Sequence, residues 1–386
     1  MNTIPSAVLY DFKQNFTSLP RLFFSPGRIN LIGEHVDYND GFVMPAAIDK
    51  GVYYAVAAND SDEIHFISKD FDEKYSTNIK HIAKNEGWKN YVLSVVNEFL
   101  LLGKDIRGFD CVFSGDIPLG SGMSSSAAVE GGLAFGLNEI FNIGLDRVAL
   151  ALLCQRAEHN YPNVKCGIMD QFANMMGKKD QVILLDCRSM EHQYFPISLK
   201  GNKIVLINTK VHHSLASGEY NIRRKRCEEG LAVLRSAFPV QSFRDVNAGQ
   251  LEAVKNQLDE KVYNCCRFVI EEIARTQQGA KLLQQHDVSG FGQLMFAAHE
   301  GLSKLYEVSC AELDYLVELA RKFPAVIGSR MMGGGFGGCT INIVNNDGLD
   351  EFIASASKDY QQQFDIVPDV YGVEPEDGTR EITVTL

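Results

Sequence analysis

The sequence has no apolar run approaching the roughly 20 residues that a membrane-spanning helix requires. Its N-terminus does not begin with basic residues followed by an apolar core, which argues against a secretory signal peptide. The nine cysteines are scattered and form no CxxC pair, a distribution that suits neither a zinc site nor a disulfide framework. These absences predict a cytoplasmic protein with reduced thiols and no membrane partner.

Positive charge is also scarce, since 37 lysines and arginines stand against 49 acidic residues and give a net charge of -12. Nucleic-acid binders cluster Lys and Arg on one surface. The nearest approach to such a cluster, residues 223–226, is short and is followed by two glutamates. We interpret it as a solvated helix face and expect no nucleic-acid partner. At 386 residues the chain is long enough for two domains with sizeable cores.

Glycine and serine, by contrast, are concentrated in residues 118–130, PLGSGMSSSAAVE. A strand-like segment precedes them and an apolar helical pattern follows, which is the order that a phosphate-binding loop requires. Glycine permits close approach of the backbone to an anion, and the first N–H groups of a helix lack internal partners. The segment is not a Walker A loop, because no lysine follows Gly122. A glycine turn with a serine cap before an ordinary helix is the alternative interpretation.

Charged residues crowd the segment from 25 to 49, SPGRINLIGEHVDYNDGFVMPAAID. Arg28, Glu34, His35, Asp37 and Asp40 fall within thirteen positions, between glycines. Such a density of donors and acceptors suits a site that binds the hydroxyl groups of a polar ligand. A surface loop with incidental charges is the alternative.

Two further carboxylates draw attention because of their surroundings. Glu158 lies near the end of a predicted helix over residues 147–160, where a negative charge is unfavourable. It therefore needs either a bound cation or exposure to solvent. Asp170 lies among apolar neighbours in CGIMDQF, where a carboxylate usually requires a cationic or metal partner.

A second glycine-rich segment, MGGGFGG at residues 332–338, precedes the strand-like CTINIV. A dinucleotide-binding loop would follow a strand and open a helix, so this context argues against one. We expect these glycines to let the backbone approach another loop or a phosphate closely. Strand-like and helical segments elsewhere lead us to place a domain boundary near residue 200, which separates 1–200 from 201–386.

Three separated motifs resemble those of one family. SPGRINLIGEHVDYNDG is similar to the N-terminal signature of galactokinases, PLGSGMSSSAAVE to the ATP loop of the GHMP small-molecule kinases, and RMMGGGFGGC to the third motif of that superfamily. CGIMDQF and HHSLASGEYNIRR also resemble galactokinase segments, so the similarity covers most of the chain in the family's order. It implies a two-domain α/β (α+β) GHMP kinase architecture. A mixed-sheet N-terminal domain and a C-terminal domain of helices on an antiparallel sheet would hold the active site between them.

The resemblance also implies an activity, the ATP-dependent phosphorylation of D-galactose at its anomeric O1 hydroxyl. The products would be α-D-galactose 1-phosphate and ADP, in the first committed step of galactose catabolism. Asp170 would be the catalytic base, and Arg28 would lie between it and the transferring phosphoryl group. Ser126 and Glu158 would hold Mg2+, the implied cofactor. The expected partners are galactose and MgATP, and the expected state is a monomer.

Further positions follow from the same resemblance. The residues that it assigns to galactose are Glu34, His35, Val36, Asp37, Gly167, Asp170 and Tyr220. The residues that it assigns to ATP are Ser68, Gly120, Ser121, Gly122, Met123, Ser124, Ser125 and Ser126. Three positions depart from the family pattern: Val36 stands where Thr is usual, Ser25 where Ala is usual, and Met123 where Leu is usual. Val36 bears on sugar preference, and the other two are expected to be neutral.

Two other functions remain open at this point. An N-acetylgalactosamine kinase would differ in the room around the C2 substituent of the sugar, which one sequence does not show. A non-catalytic sensor of galactose and ATP is a second alternative. Relatives of that kind lack residues of the serine loop, whereas Ser124, Ser125 and Ser126 are present here together with Asp170 and Arg28.

Overall fold

A computed structural model describes residues 3–196, 201–212 and 216–383 of the chain. Its α-helices, numbered in chain order, are α1 Ile4–Asn15, α2 Trp88–Leu101, α3 Ser125–Ile140, α4 Arg147–Asn160, α5 Met169–Met176, α6 Ala216–Ala237, α7 Ala248–Ala253, α8 Glu260–Gln284, α9 Val288–Lys304, α10 Ala311–Lys322 and α11 Leu349–Phe364. Its strands are β1 Arg21–Asn30, β2 Phe42–Val43, β3 Pro45–Ala58, β4 Glu63–Ser68, β5 Glu73–Asn78, β6 Phe109–Gly115, β7 Gln181–Asp186, β8 His192–Pro196, β9 Asn202–His212, β10 Val326–Met331, β11 Gly337–Asn345, β12 Asp369–Val373 and β13 Arg380–Ile382. In this described part, no helix is both long enough and apolar enough to cross a membrane.

The first half of the chain is built on a six-stranded sheet in the order β13-β1-β3-β6-β4-β5. The sheet is mixed, because β4 runs parallel to β6 while the other neighbours are antiparallel. Helices α2, α3 and α4 pack together beside it around an apolar core that includes Tyr54, Phe66 and Phe109. This arrangement places the end of β6 directly before the loop that opens α3, as the sequence pattern predicts.

The second half contains a four-stranded antiparallel sheet in the order β10-β11-β9-β12. Alternate residues of β9 serve different cores, because successive side chains of a strand point to opposite faces. Ile204 and Leu206 join a cluster with Phe291 and Met295 of α9. Val205 and Ile207 join another cluster under α10 and α11. Both faces of this sheet are therefore buried.

The two halves pack against each other, and the chain returns from the second half to the first. Ile29 and Ile32, from β1 and the residues after it, belong to the same apolar cluster as Ile341 of β11. A three-stranded sheet, β2-β7-β8, closes the first half. The last strand, β13, returns to the first half and pairs antiparallel with β1. Residues at the junction of the halves are consequently held from both sides.

Candidate active site

Arg28 and Asp170 form a bidentate ion pair at the junction. Arg28 Nε donates to Asp170 Oδ1 at 2.8 Å and Nη2 donates to Oδ2 at 2.7 Å. Arg28 Nη1 donates to the carbonyl of Gly122, so the guanidinium links the carboxylate to the glycine-serine loop. Burial would lower the pKa of Arg28, but the charges of Asp170 and Glu34 outweigh it and the pKa is raised. Arg28 therefore stays positively charged, and it lies beside an Asp170 carboxylate whose side chain is 25% exposed.

A cavity of about 200 Å³, here the smaller cavity, lies against this ion pair. Polar and charged side chains from both halves of the chain line it, which suits a small ligand rich in hydroxyl groups. The lining residues used below are Arg28, Glu34, His35, Asp37, Glu158, Cys166, Gly167, Asp170, Tyr220, Gly333 and Gly334.

Glu34 is anchored by the second half of the chain. Its Oε1 accepts from the backbone N–H of Gly333 at 2.7 Å and from Arg330 Nη2 at 3.1 Å. Arg330 is completely buried and also donates to the carbonyls of Leu31, at 2.8 Å, and Asn30. The carboxylate is thus oriented before any ligand arrives, and it contributes to the cavity wall.

The side chains of His35 and Val36 both have partners within the protein. Both ring nitrogens of His35 have protein partners, the hydroxyl of Tyr38 at 2.8 Å and the carbonyl of Gly334 at 3.2 Å. Burial lowers the pKa of His35 to about 4. Val36 is fully buried in the core and packs against Gly41, so the structure does not bring its side chain to the smaller cavity.

Asp37 and Gly167 meet on one wall of the smaller cavity. A Cβ on Gly167 would lie 2.0 Å from Asp37 Oδ2, so any other residue there would force the Asp37 carboxylate to move. Burial, followed by the charges of Asp170 and Glu34, raises the pKa of Asp37 to about 7. Tyr220 of α6 completes this part of the wall, with its ring centroid 5.3 Å from that of His35.

A larger cavity of about 520 Å³ opens beside the start of α3, within the range of small-molecule sites of about 300–1,000 Å³. Trp88, Tyr91 and Phe113 line it together with the first-turn residues Ser125 and Ser126. A flat apolar ligand could pack on these aromatic side chains while a charged group met the helix N-terminus.

The glycine-serine loop itself turns through positive φ angles at Gly120, Gly122 and Ser124. Ser124 is the residue before α3, yet its side chain does not make the cap that the alternative interpretation expects. Within residues 3–196, 201–212 and 216–383, the buried hydroxyls of Ser121 and Ser124 have no hydrogen-bond partner. Met123 buries its side chain and accepts from the Arg28 N–H through its carbonyl at 3.0 Å.

Ser68, the remaining nucleotide candidate, ends β4. It is fully buried, and no partner for its hydroxyl is found in the described ranges of the chain. Its register partner is Phe113, whose ring lines the larger cavity. Ser68 is therefore close to that cavity in the sheet, although it is not one of the lining residues.

Glu158 lies on the wall of the smaller cavity, and Ser126, its proposed partner on the metal, lines the larger one. Glu158 Oε2 accepts a hydrogen bond from Gln171 Nε2 at 2.7 Å. Burial and the charge of Asp170 raise the pKa of Glu158 to about 7, and hydrogen bonds from Ser126, Cys166 and Gln171 oppose that shift. No ion pair to Glu158 is found in the described segments, so its charge lacks a cationic partner there.

Several residues of the site were missed by sequence reasoning. Gln171 neighbours the singled-out Asp170, and Tyr38 lies inside HVDYND, so proximity to a motif could have flagged both. Arg330 begins the RMMGGGFGGC motif, yet nothing in the sequence indicates its burial. The aromatic lining of the larger cavity has no local signal, because Trp88 and Phe113 reach it from separate elements.

Comparison with known proteins places these observations in a family. The chain matches the galactokinase galactose-binding signature over residues 10–58, the GHMP kinases N-terminal domain over residues 90–178 and the GHMP kinases C-terminal domain over residues 280–362. The galactokinase of Clostridium acetobutylicum is 40% identical over 377 residues, 96% of each chain. That of Lactiplantibacillus plantarum is 40% identical over 389 residues, 99% of this chain and 100% of the relative.

Solved structures agree with the sequence matches. The crystal structure of Lactococcus lactis galactokinase complexed with galactose has a TM-score of 0.95 at 32% identity and covers 98% of this chain and 100% of its own. The Methanococcus jannaschii mevalonate kinase, with a TM-score of 0.62 at 19% identity over 94% of this chain and 100% of its own, shares the fold alone. The two-domain GHMP architecture, with its mixed and antiparallel sheets, is confirmed. Since relatives at 40% and 32% identity span nearly the whole chain, this protein is a kinase that belongs to the galactokinase family.

Proposed function

We propose that this protein transfers the γ-phosphoryl group of ATP to the anomeric O1 of D-galactose, with α-D-galactose 1-phosphate and ADP as products. The observation that carries the proposal is the Arg28–Asp170 ion pair, which lies between a polar cavity and a glycine-serine loop. Phosphoryl transfer depends chiefly on positioning and charge neutralisation, and this arrangement supplies both.

ATP is assigned to the larger cavity and the loop beside it. The adenine ring would pack among Trp88, Tyr91 and Phe113, and the triphosphate would follow residues 120–126 toward Arg28. Main-chain N–H groups at the start of α3 and the hydroxyls of Ser121 and Ser124, which have no partner within the described residues, would donate hydrogen bonds to the phosphate oxygens.

Galactose is assigned to the smaller cavity. Glu34 and Asp37 would accept hydrogen bonds from sugar hydroxyls, and Tyr220 and the main chain at Gly167 would complete the contacts. Val36 can contribute only through its main chain, because its side chain is in the core. The sugar would then present O1 to Asp170, at the cavity end nearest the glycine-serine loop.

Asp170 is assigned as the general base. O1 attacks the γ-phosphorus, the O1 proton passes to the Asp170 carboxylate, and the bond between the γ-phosphorus and the ADP oxygen breaks. Arg28 stays charged beside the reacting groups and stabilises the negative charge of the transition state. Its bidentate contact also keeps Asp170 in one orientation.

Mg2+ fits the same site on the chemistry of its donors. Mg2+ prefers oxygen ligands and usually binds through one or two protein groups plus substrate phosphates, and Ser126 and Glu158 offer a hydroxyl and a carboxylate. A hydrogen bond links the Ser126 side chain to the Glu158 carboxylate, so the two donors lie side by side. When bound, the ion would neutralise phosphate charge and would give the Glu158 carboxylate a cationic partner.

A coupled ADP-release assay across galactose, N-acetylgalactosamine, glucose and mevalonate with MgATP tests the proposal. We expect turnover with galactose and a loss of about 10²–10⁴-fold in kcat for Asp170→Asn, with galactose binding retained. Preferred turnover of N-acetylgalactosamine would establish that kinase activity instead. Binding of galactose and ATP without ADP release would indicate the sensor. An Asp170→Asn variant as fast as the wild type would remove the base assignment.

A further inference from the structure

A chain of hydrogen bonds, here the tyrosine chain, runs from the wall of the smaller cavity into the helices of the second half. It begins at the carbonyl of Gly334, which lies 3.2 Å from His35 Nε2. His35 Nδ1 lies 2.8 Å from the hydroxyl of Tyr38, which lies 2.9 Å from the hydroxyl of Tyr306. Tyr306 lies 3.2 Å from the Sγ of Cys227 in α6. His35, Tyr306 and Cys227 are each at most 3% exposed.

The carbonyl at one end fixes the direction of every bond in the tyrosine chain. A carbonyl oxygen only accepts, so His35 Nε2 must carry the proton. A neutral imidazole donates from one nitrogen alone, so Nδ1 accepts and the Tyr38 hydroxyl donates to it. The Tyr38 oxygen then accepts from Tyr306, and the Tyr306 oxygen accepts from the thiol of Cys227. Burial lowers the pKa of His35 to about 4 and raises that of Cys227 to about 12, which agrees with a neutral ring and a protonated thiol.

Ring packing also restrains the side chains of His35 and Tyr306. The His35 ring lies 5.1 Å from that of Tyr306 and 5.3 Å from that of Tyr220, between centroids. Tyr306 packs in turn on Phe268 of α8, at 4.7 Å. The His35 carbonyl accepts from Asn39 Nδ2 at 3.0 Å. The imidazole therefore has one position, and both of its nitrogens are already engaged.

We propose that Tyr38 and Tyr306 are positioning residues that hold His35 in its Nε2-protonated tautomer, and that His35 thereby fixes Gly334 over the smaller cavity. The His35 ring would then act on the cavity wall and not through a hydrogen bond of its own to the sugar. The neighbouring Gly333 is held independently by Glu34, so the two bonds together set the position of residues 333 and 334. The effect on galactose rests on the proposed function, whereas the tautomer does not.

Removal of single hydroxyls makes the proposal testable. In Tyr38→Phe, His35 Nδ1 loses its donor, and the other tautomer would set an Nε2 lone pair against the Gly334 carbonyl. Loss of the Nδ1 donor removes the preference for the Nε2-protonated tautomer, and the other tautomer releases Gly334. We expect the KM for galactose to rise about fivefold while the KM for MgATP stays within about twofold, since one lost buried hydrogen bond corresponds to about 1 kcal/mol. In Tyr306→Phe, Tyr38 can still donate to His35, so a smaller rise is expected. Because the two act in series, Tyr38→Phe/Tyr306→Phe should match Tyr38→Phe alone.

Tyr360→Phe is the matched control. It deletes the hydroxyl of a fully buried tyrosine, which donates to the Thr209 carbonyl at 2.9 Å in the C-terminal sheet, and neither residue lines either cavity. We expect it to lower thermal stability as much as Tyr38→Phe does and to leave both KM values unchanged. A galactose KM that moves equally in the control would mean that lost stability explains the effect, and would overturn the proposal.

Nitrogen-15 NMR of protein labelled at histidine reads the tautomer directly. We expect His35, identified by the resonance absent from His35→Gln, to be protonated at Nε2 in the wild type and to become mixed in Tyr38→Phe. We also expect His35→Gln, whose amide can replace the Nε2 donor, to keep a galactose KM closer to the wild type than the shorter His35→Asn does. These comparisons decide the matter even if Tyr38→Phe does not fold.

Three results would contradict the proposal: a wild-type His35 protonated at Nδ1, equal galactose KM values for His35→Gln and His35→Asn, or an unchanged tautomer in a folded Tyr38→Phe. A wild-type protein that turned over no galactose would overturn the proposed function alone. The tautomer is measured without substrate, so the two failures are distinguishable.

Discussion

Glu158 occupies a position where a carboxylate is costly unless a cation joins it. Burial and the nearby charge of Asp170 raise its pKa to about 7, and its hydrogen bond to Gln171 fixes one oxygen. Removing the charge in Glu158→Gln should leave the shape of the site unchanged. We expect the concentration of Mg2+ required for half-maximal rate to rise by at least about tenfold, because a lost metal contact costs at least as much as a lost outer-shell partner.

The measurement is a titration of ADP release with Mg2+ at fixed galactose and ATP. Equilibrium binding of Mn2+ in the presence of ADP, followed by electron paramagnetic resonance, gives a second readout that needs no turnover. Unaltered metal dependence in both experiments would return Glu158 to a structural role beside Gln171.

The raised pKa of Asp37 leads us to predict that sugar binding depends on pH. That pKa is raised to about 7 by burial and by the charges of Asp170 and Glu34, so much of the free protein carries a proton there at neutral pH. A sugar hydroxyl that donates to Asp37 favours the ionised form. Galactose binding should therefore release protons near pH 7, and affinity should increase as the pH rises from about 6 to about 8. Calorimetry in buffers of different ionisation enthalpy measures the released protons.

Two variants check this assignment. Asp37→Asn should abolish the proton release, whereas Glu158→Gln should retain it, because Glu158 is not assigned to the sugar. The stability of the free protein should depend on pH with the opposite sign to sugar binding. The pKa of Asp37 is raised from 3.8 to about 7 in the folded protein, so this residue stabilises the fold at low pH, and that stabilisation is lost as the pH rises through about 7. Without ligand, Asp37→Asn should gain stability over the wild type toward pH 8. Proton release that survives in Asp37→Asn would contradict the role of Asp37.

At the level of elements, the glycine loop over residues 332–338 depends on close backbone contacts. Gly335 has φ of +83°, and a Cβ there would lie 2.1 Å from the Val308 carbonyl. That carbonyl accepts from the N–H of Phe336 at 2.8 Å, so an alanine would strain the backbone and break the bond. We expect Gly335→Ala to lower the free energy of unfolding by about 2 kcal/mol, as the sum of backbone strain and one lost hydrogen bond.

The same loop carries the N–H that binds Glu34 and the carbonyl that binds His35. Gly335→Ala should therefore also reduce kcat/KM for galactose by about tenfold or more. Gly372→Ala in β12 is the control, because a Cβ at that position meets nothing within 4 Å and its backbone is ordinary strand. Thermal unfolding and galactose kinetics on both variants are the measurements. Equal behaviour of the two would show that the contact with Val308 is unimportant.

Local elements were predictable from the sequence where one periodicity dominates. The helix over 147–160 was predicted with the bounds of α4, and the strand, loop and helix around residues 109–140 were predicted in the right order. Less regular segments are not predictable in this way: the pattern over 252–258 indicates one helix, whereas α7 ends at Ala253 and a short 3-10 turn follows. A capping box between Asn247 and Gln250 starts that helix earlier than its apolar pattern indicates.

Long-range partners were predictable only through the resemblance. Nothing between Arg28 and Asp170 in the sequence marks their contact across 142 positions. Tyr306 lies 268 positions from Tyr38 and carries no motif of its own, so the tyrosine chain was not foreseen. Val36 was assigned to the sugar through the resemblance alone, and its buried apolar side chain limits that proposed contact to its main chain.

At the scale of the whole molecule, we propose a division near residue 200 that separates two sheets but not two independent units. Arg330 of the second half is buried against the carbonyls of Asn30 and Leu31 in the first. Thr379 is fully buried beside α5, although it lies at the far end of the chain. The active site thus sits where segments distant in sequence stabilise one another.

Removing residues 374–386 should therefore destabilise the first half more than the second. The truncation deletes β13 and the hydrogen bonds of three donors to the end of α5: from Thr379 N to the Asn174 carbonyl at 2.8 Å, from Thr379 Oγ1 to Asn174 Oδ1 at 2.7 Å and to the Asn174 carbonyl at 3.2 Å, and from Gly378 N to the Gly177 carbonyl at 2.9 Å. At about 1 kcal/mol each, their loss should lower the free energy of unfolding by about 3 kcal/mol. Because α5 carries Asp170, the KM for galactose should rise as well.

Hydrogen exchange locates the damage and decides the argument. We expect faster exchange in β1 and α5 of the truncated protein and little change in α10 and α11, which pack on the other sheet. Glu381→Gln is the control, because it removes only an ion pair to Arg21 whose two side chains are 46% and 38% exposed, and such pairs contribute about 0–1 kcal/mol. Faster exchange confined to α10 and α11 would mean that residues 374–386 stabilise the second half, in which they lie in sequence. Faster exchange in β1 and α5 would instead mean that residues 374–386 complete the half that carries Asp170.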